Sequence, residues 1–191
     1  MRPELVVAHT RKWVQDVVVG WNFCPFAKSV FYDERLRYAV ATATDTPGVV
    51  DEFLKECRLL DANDSIETTL FLVPMGFGKF LDYLDLVDLV EHKLAGEGYE
   101  GIYQVASFHP DYVFEGTETE DPANYTNRSP YPILHLLRED ALTEAIDSYN
   151  GDIEEIPETN IRNARRLGLK RMREMLEESR STSFAPRLPD R

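Results

Sequence analysis

Cysteine is scarce in this chain: Cys24 and Cys57 are the only two, and neither lies at CxxC or Cys/His metal-ligand spacing. A disulfide framework and a cysteine-based zinc site are thereby excluded, and two free thiols suit a reducing compartment. No apolar run approaches the roughly 20 residues needed to span a bilayer. The opening MRPELVVAHTRKW lacks the basic, apolar, small-residue layout of a secretion signal. The expectation is a soluble, cytoplasmic protein. Catalytic signatures are missing as well, with no HExxH, GxSxG or EF-hand pattern. Gly76-Phe77-Gly78-Lys79 sits where a phosphate loop would sit, but it is too short for a Walker A motif and lacks the dinucleotide fingerprint. Turn glycines explain it better.

Positive charge is thin over most of the length. Residues 1 to 159 carry 12 Lys+Arg against 30 Asp+Glu, a balance of −18, whereas residues 160 to 191 carry 9 against 4, a balance of +5. An acidic body argues against nucleic-acid binding, because phosphate contacts dominate that affinity. The basic stretch of Arg162, Arg165, Arg166, Lys170, Arg171 and Arg173 is expected to pair with the acidic body or to be solvated; a partner-binding helix is the rival reading.

What remains is ordinary for a globular protein: 191 residues, 43% hydrophobic, with ten Phe and nine Tyr. That is enough for one domain over residues 1–178 with a disordered tail over 179–191. Val6, Trp13, Val14, Val17, Val18 and Trp21 form one helical stripe, predicting an amphipathic helix over residues 4–21. Strands are expected over 36–44, 66–73 and 101–108. Helices are expected over 47–60, with Thr46 as cap before Pro47, and over 80–94, 141–149 and 157–178. Residues 131–137 read as a fourth strand, Pro130 and Pro132 placing it at a strand start or a sheet edge; a helix is the alternative there. The order implies an α/β fold, α+β being the variant, with a small mixed sheet of about four strands covered by helices.

The long stretch between the third and fourth strands is the most informative. Structureless loops of some twenty residues are uncommon in compact domains and usually functional or disordered. This one holds Asn124, Tyr125, Thr126, Asn127, Arg128 and Ser129, all able to hydrogen-bond. Arg128 is the only basic residue between Lys93 and Arg138, and a planar cation suits carboxylate or phosphate. An arginine tying its own loop together is the rival reading. Strand alternation puts Tyr103, Val105, Ser107 and His109 on one face, so His109 emerges at a strand end, where open α/β sheets place ligands. With Asp111 two residues on, it could act as a general base with an orienting carboxylate. His135 between Leu134 and Leu136 faces away from both. Were it to meet His109, the three would make a His/His/Asp metal set, although no spacing requires one.

Cys24 lies in Asn22-Phe23-Cys24-Pro25-Phe26-Ala27-Lys28. The string resembles, over a few residues, the redox-site CPF segment of omega-class glutathione transferases and some glutaredoxins. There the cysteine follows a strand and opens a helix; here a helix precedes it, and a small buried thiol is the plainer reading. A third reading makes Cys24 a nucleophile in a pocket beside Lys28.

Taken together, NFCPFAK, TLFLVP with FLDYLDLVD, YQVASFHPDYVFEGTETEDPANYTNRSPYPILHLLRE and IPETNIRNARRLG resemble the bacterial family called domain of unknown function 1415, over most of residues 11–168. Phe23 stands where that family more often has Leu. The resemblance brings no established reaction, but it marks Cys24, Lys28, His109, Asp111, Asn124, Tyr125, Asn127, Arg128, Ser129 and His135 as motif positions. The expectation is a shared pocket. Cys24, His109 and Asp111 would be catalytic, and Lys28 with the loop residues and His135 would bind a small anionic molecule. A non-catalytic metabolite- or peptide-binding module is the alternative. No cofactor and no oligomeric state can be read.

Overall fold

The computed structural model describes residues 1–181. In chain order it contains α1 (Pro3–Trp13), a π-helical segment (Val14–Val19), α2 (Ala27–Tyr32), β1 (Leu36–Val40), α3 (Thr46–Asp61) and β2 (Thr68–Leu72). There follow α4 (Phe80–Gly96), β3 (Tyr103–Phe108), a 3-10 turn (Pro122–Thr126), β4 (Ile133–Arg138), α5 (Glu139–Asp147) and α6 (Glu155–Arg180). The sheet is mixed and ordered β1-β2-β4-β3. β1 runs parallel to β2, and β4 is antiparallel to both β2 and β3.

The architecture is α/β with helices on both faces. Each residue of β2 is buried, as expected of a central strand covered twice. One core joins α3 and α4 to the sheet through Val49, Phe53, Leu86, Val90, Leu134 and Leu136. The other joins α1, the π segment and α6 to the opposite face through Val6, Trp13, Val17, Leu70, Ile133 and Met172. β4 alternates between them, with Leu134 and Leu136 on the first face. The fourth strand is therefore present, and the helical alternative for it is not.

Several boundaries differ for local reasons. The cap of α3 is Asp45, whose carboxylate accepts from the Gly48 N–H at 3.1 Å, so Thr46 is already helical. The first helix does not continue evenly to residue 21. It widens into the π segment, with Phe23 N–H reaching back to the Val18 carbonyl at 2.9 Å. Gly20 makes this possible, because a Cβ there would lie 2.4 Å from the Asp16 carbonyl oxygen. α2 is too short to show a helical period in sequence. α6 is kinked at Gly168, where φ is 81°.

The helix α6 extends beyond the predicted residue 178. Ser179 is buried and Arg180 donates to the Pro130 carbonyl at 2.7 Å, so residues 179 and 180 are helix, not tail; residues 182–191 lie outside the described residues. Two of its basic side chains pair with the acidic body, Arg165 in a two-pronged bridge to Asp121 (3.1 and 2.7 Å) and Arg173 to Glu120 at 3.2 Å. Arg162, Lys170 and Arg171 instead pair with glutamates of the helix itself. Among the described residues no helix is long and apolar enough to cross a membrane.

Candidate functional site

The long loop is ordered from within. Asn124 is fully buried and spends both ends of its amide on the loop. Its oxygen accepts from Phe114 N–H at 3.0 Å and the Thr117 hydroxyl at 2.9 Å, and its nitrogen donates to the Glu118 carbonyl at 2.9 Å. Arg128 is also buried. Its Nε donates to the Tyr112 carbonyl at 3.0 Å and its Nη2 to the Thr119 carbonyl at 2.8 Å, while the guanidinium lies 4.5 Å from the centre of the Tyr125 ring. Asn127 ties the loop to β3 through Ser107 and His109, and the Ser129 hydroxyl donates to the Tyr131 carbonyl at 2.5 Å. The donors expected to hold a ligand are holding the backbone.

His109 serves the same end. The Asp111 N–H donates to its Nδ1 at 3.0 Å, which leaves the proton on Nε2 to be given to the Phe77 carbonyl at 3.0 Å. The ring is fully buried against Phe80 and Tyr83 of α4. Burial lowers its pKa, so the imidazole is neutral and both nitrogens are occupied. Asp111 is exposed and meets the ring through its backbone N–H; its expected role as an orienting carboxylate is not what the geometry provides. The bolt joins the end of β3 to the Gly76–Lys79 turn, where Gly76 has φ of 91° and a Cβ would fall 2.3 Å from the Thr44 carbonyl oxygen.

The expected common hollow for Cys24, His109 and Arg128 does not form. Register explains why. Ala106 is opposite His135, so His135 shares its face with Ala106 and Phe108, away from Val105, Ser107 and His109. Two histidines on opposite faces cannot share a metal, and among the described residues no cluster of His, Cys, Asp and Glu suits one.

Cys24 and His135, by contrast, do come together. Both line a cavity of about 230 Å³ beneath α5. Its floor is the sheet, through Thr68, Leu70, Ala106, Phe108, His135 and Leu137. Trp13, Val14 and Val18 of α1 and the π segment form one wall, and Cys24, Phe26, Ala27 and Val30 form another. Ala141, Leu142 and Ala145 of α5 make the roof. No residue of α5 is fully buried, although the helix is amphipathic, because its apolar stripe faces this space instead of a packed core. The Tyr149 ring, 5.6 Å from Phe26 in an edge-on contact, links the end of the roof to the wall. π-helical turns often mark functional sites, and here one borders the cavity.

The polar groups facing this space are few. Arg138 and Glu67 stand at its margin but are engaged. Arg138 donates to the Leu60 carbonyl at 2.6 Å and to Tyr103 Oη at 3.3 Å, and Glu67 pairs with Arg35 at 2.8 Å. Lys28 is exposed on α2 and does not line the cavity. Burial pushes the Cys24 thiol up, and the Phe26 and Ala27 N–H groups only partly oppose it. Burial also lowers His135 to about 4. At neutral pH the cavity thus presents a thiol and a neutral imidazole. Alkylation of Cys24 by iodoacetamide should be slow at pH 7, with a rate–pH inflection above the ordinary thiol value of about 8.5. An inflection below pH 7.5 would instead mark an activated thiolate.

The sequence signal for this site was weak. Ala106, Ala141 and Ala145 matter by leaving space, and Thr68 reads simply as a strand residue. In comparison with known proteins, residues 5–174 match the family described as "Protein of unknown function (DUF1415)". Nothing among the curated proteins or the solved structures matches the chain. The chain belongs to the DUF1415 family.

Proposed function

We propose that this member of the DUF1415 family is a binding protein for a small, neutral, mainly apolar molecule held beneath α5. The observation that carries the reading is a cavity of about 230 Å³ walled almost wholly by carbon, with Cys24 and His135 among its few heteroatoms. Apolar walls with a small number of placed polar groups are the usual make-up of a small-molecule site. A dry cavity of about 150 Å³ suffices for benzene, so scaling by volume allows a ligand of roughly nine non-hydrogen atoms. An anionic ligand is disfavoured, because the cations once considered for it are spent elsewhere or lie outside: Arg128 in its loop, Lys28 on the surface. A non-catalytic role is favoured over a Cys/His enzyme because the thiol is raised and His109, the expected base, is sealed on the other face.

Filling the space provides the test. Ala106→Phe places a ring over His135 and should weaken toluene binding roughly 30-fold, read by calorimetry, while the protein still unfolds cooperatively. Toluene bound equally by both proteins would place the ligand elsewhere.

A further inference from the structure

The hydroxyl of Thr68 has one proton, and the geometry shows where it goes. Thr68 Oγ1 lies 2.5 Å from the Leu136 carbonyl oxygen and 2.8 Å from His135 Nε2. Two oxygens so close need a proton between them, so the hydroxyl donates to Leu136 and accepts from the ring. His135 therefore carries its proton on Nε2. Its Nδ1 is left with a bare lone pair, has no hydrogen-bond partner among the described residues, and belongs to a ring that lines the cavity.

We infer that the ligand of this cavity is a neutral alcohol or phenol, whose hydroxyl donates to His135 Nδ1 while its hydrocarbon part fills the space under α5. The inference rests on the cavity being the binding site. Among the described residues, the unpartnered N–H that a carbonyl or ether compound could seek in these walls is Trp13 Nε1–H, whose nitrogen is itself buried. At Nδ1 such a compound has no proton to offer and would set lone pair against lone pair. A carboxylate would do the same and bring an unpaired charge into an apolar chamber. A pure hydrocarbon fits but leaves Nδ1 unsatisfied. The same lone pair explains why the site would discriminate at all: in a wholly apolar cavity a hydroxyl loses its water without replacement, whereas here an acceptor replaces it. Thr68 acts as a positioning residue, because its hydroxyl holds the tautomer without needing to touch the ligand.

Toluene and phenol, with seven non-hydrogen atoms each, separate the possibilities by calorimetry on the full chain. Wild-type protein should bind phenol about tenfold more tightly than toluene, and His135→Leu should reverse that order. Toluene preferred by the wild type overturns the hydroxyl inference and leaves the cavity reading standing. Neither ligand binding overturns both. Nitrogen NMR of the wild-type imidazole supplies a readout independent of the variant's folding. The ring should show a protonated Nε2 and a bare Nδ1 whose resonance moves with phenol and not with toluene. A protonated Nδ1 overturns the inference.

Discussion

Replacing Arg128 with methionine is expected to cost the fold about 4 kcal/mol, through two lost hydrogen bonds from a charged donor and one lost ring contact. The guanidinium is the hub of the loop: it ties Arg128 back to carbonyls at Tyr112 and Thr119 and rests on Tyr125. Methionine fills much of the volume and leaves both carbonyls without their donor. Arg128→Lys should be almost as costly, because an ammonium cannot span two carbonyls with the planar fork. Urea unfolding would measure both. A loss below about 1 kcal/mol in either variant would mean that the loop does not depend on this residue and would return Arg128 to the ligand-binding candidates.

The second large effect concerns acid. His135 has a folded pKa of about 4 against the ordinary 6.5, because burial disfavours its charged form. The neutral ring contributes its full stabilisation above pH 6.5, the unfolded value. As pH falls from there towards 4, the unfolded chain takes up a proton that the folded chain refuses, and stability declines. The full displacement corresponds to roughly 3 kcal/mol. His109 is shifted the same way and adds to the slope. The His135 share can be isolated from unfolding free energies of wild type and His135→Leu at pH 7.5 and 4. The stability difference between the two proteins should change by about 3 kcal/mol in the variant's favour on acidification. An unchanged difference would place His135 in a wetter setting than the cavity wall.

Much of the fold was legible because periodicity survives in single sequences. The runs at 36–44, 66–73, 101–108 and 131–137 each fall on one of the four strands. Pairing was not legible. Nothing local says that Ala106 rather than Val105 lies opposite His135, and one residue of slip exchanges the two faces. That single fact separates His109 from His135 and dissolves the expected site. Arg128 shows a second obstacle. Asn, Arg and Ser bond a foreign ligand and their own backbone through the same atoms, so a dense polar loop reads alike in both cases. The third obstacle is emptiness. Ala141 and Ala145 are good helix formers, and only the placed helix reveals that they roof a space.

The most direct measurement is a crystal structure under xenon pressure, since xenon enters dry apolar cavities and avoids filled or wet ones. Xenon density between Ala106 and Leu142, close to His135, is the predicted result. An empty map there, with α5 settled against the sheet and its alanines packed on Phe108, would contradict the existence of the site.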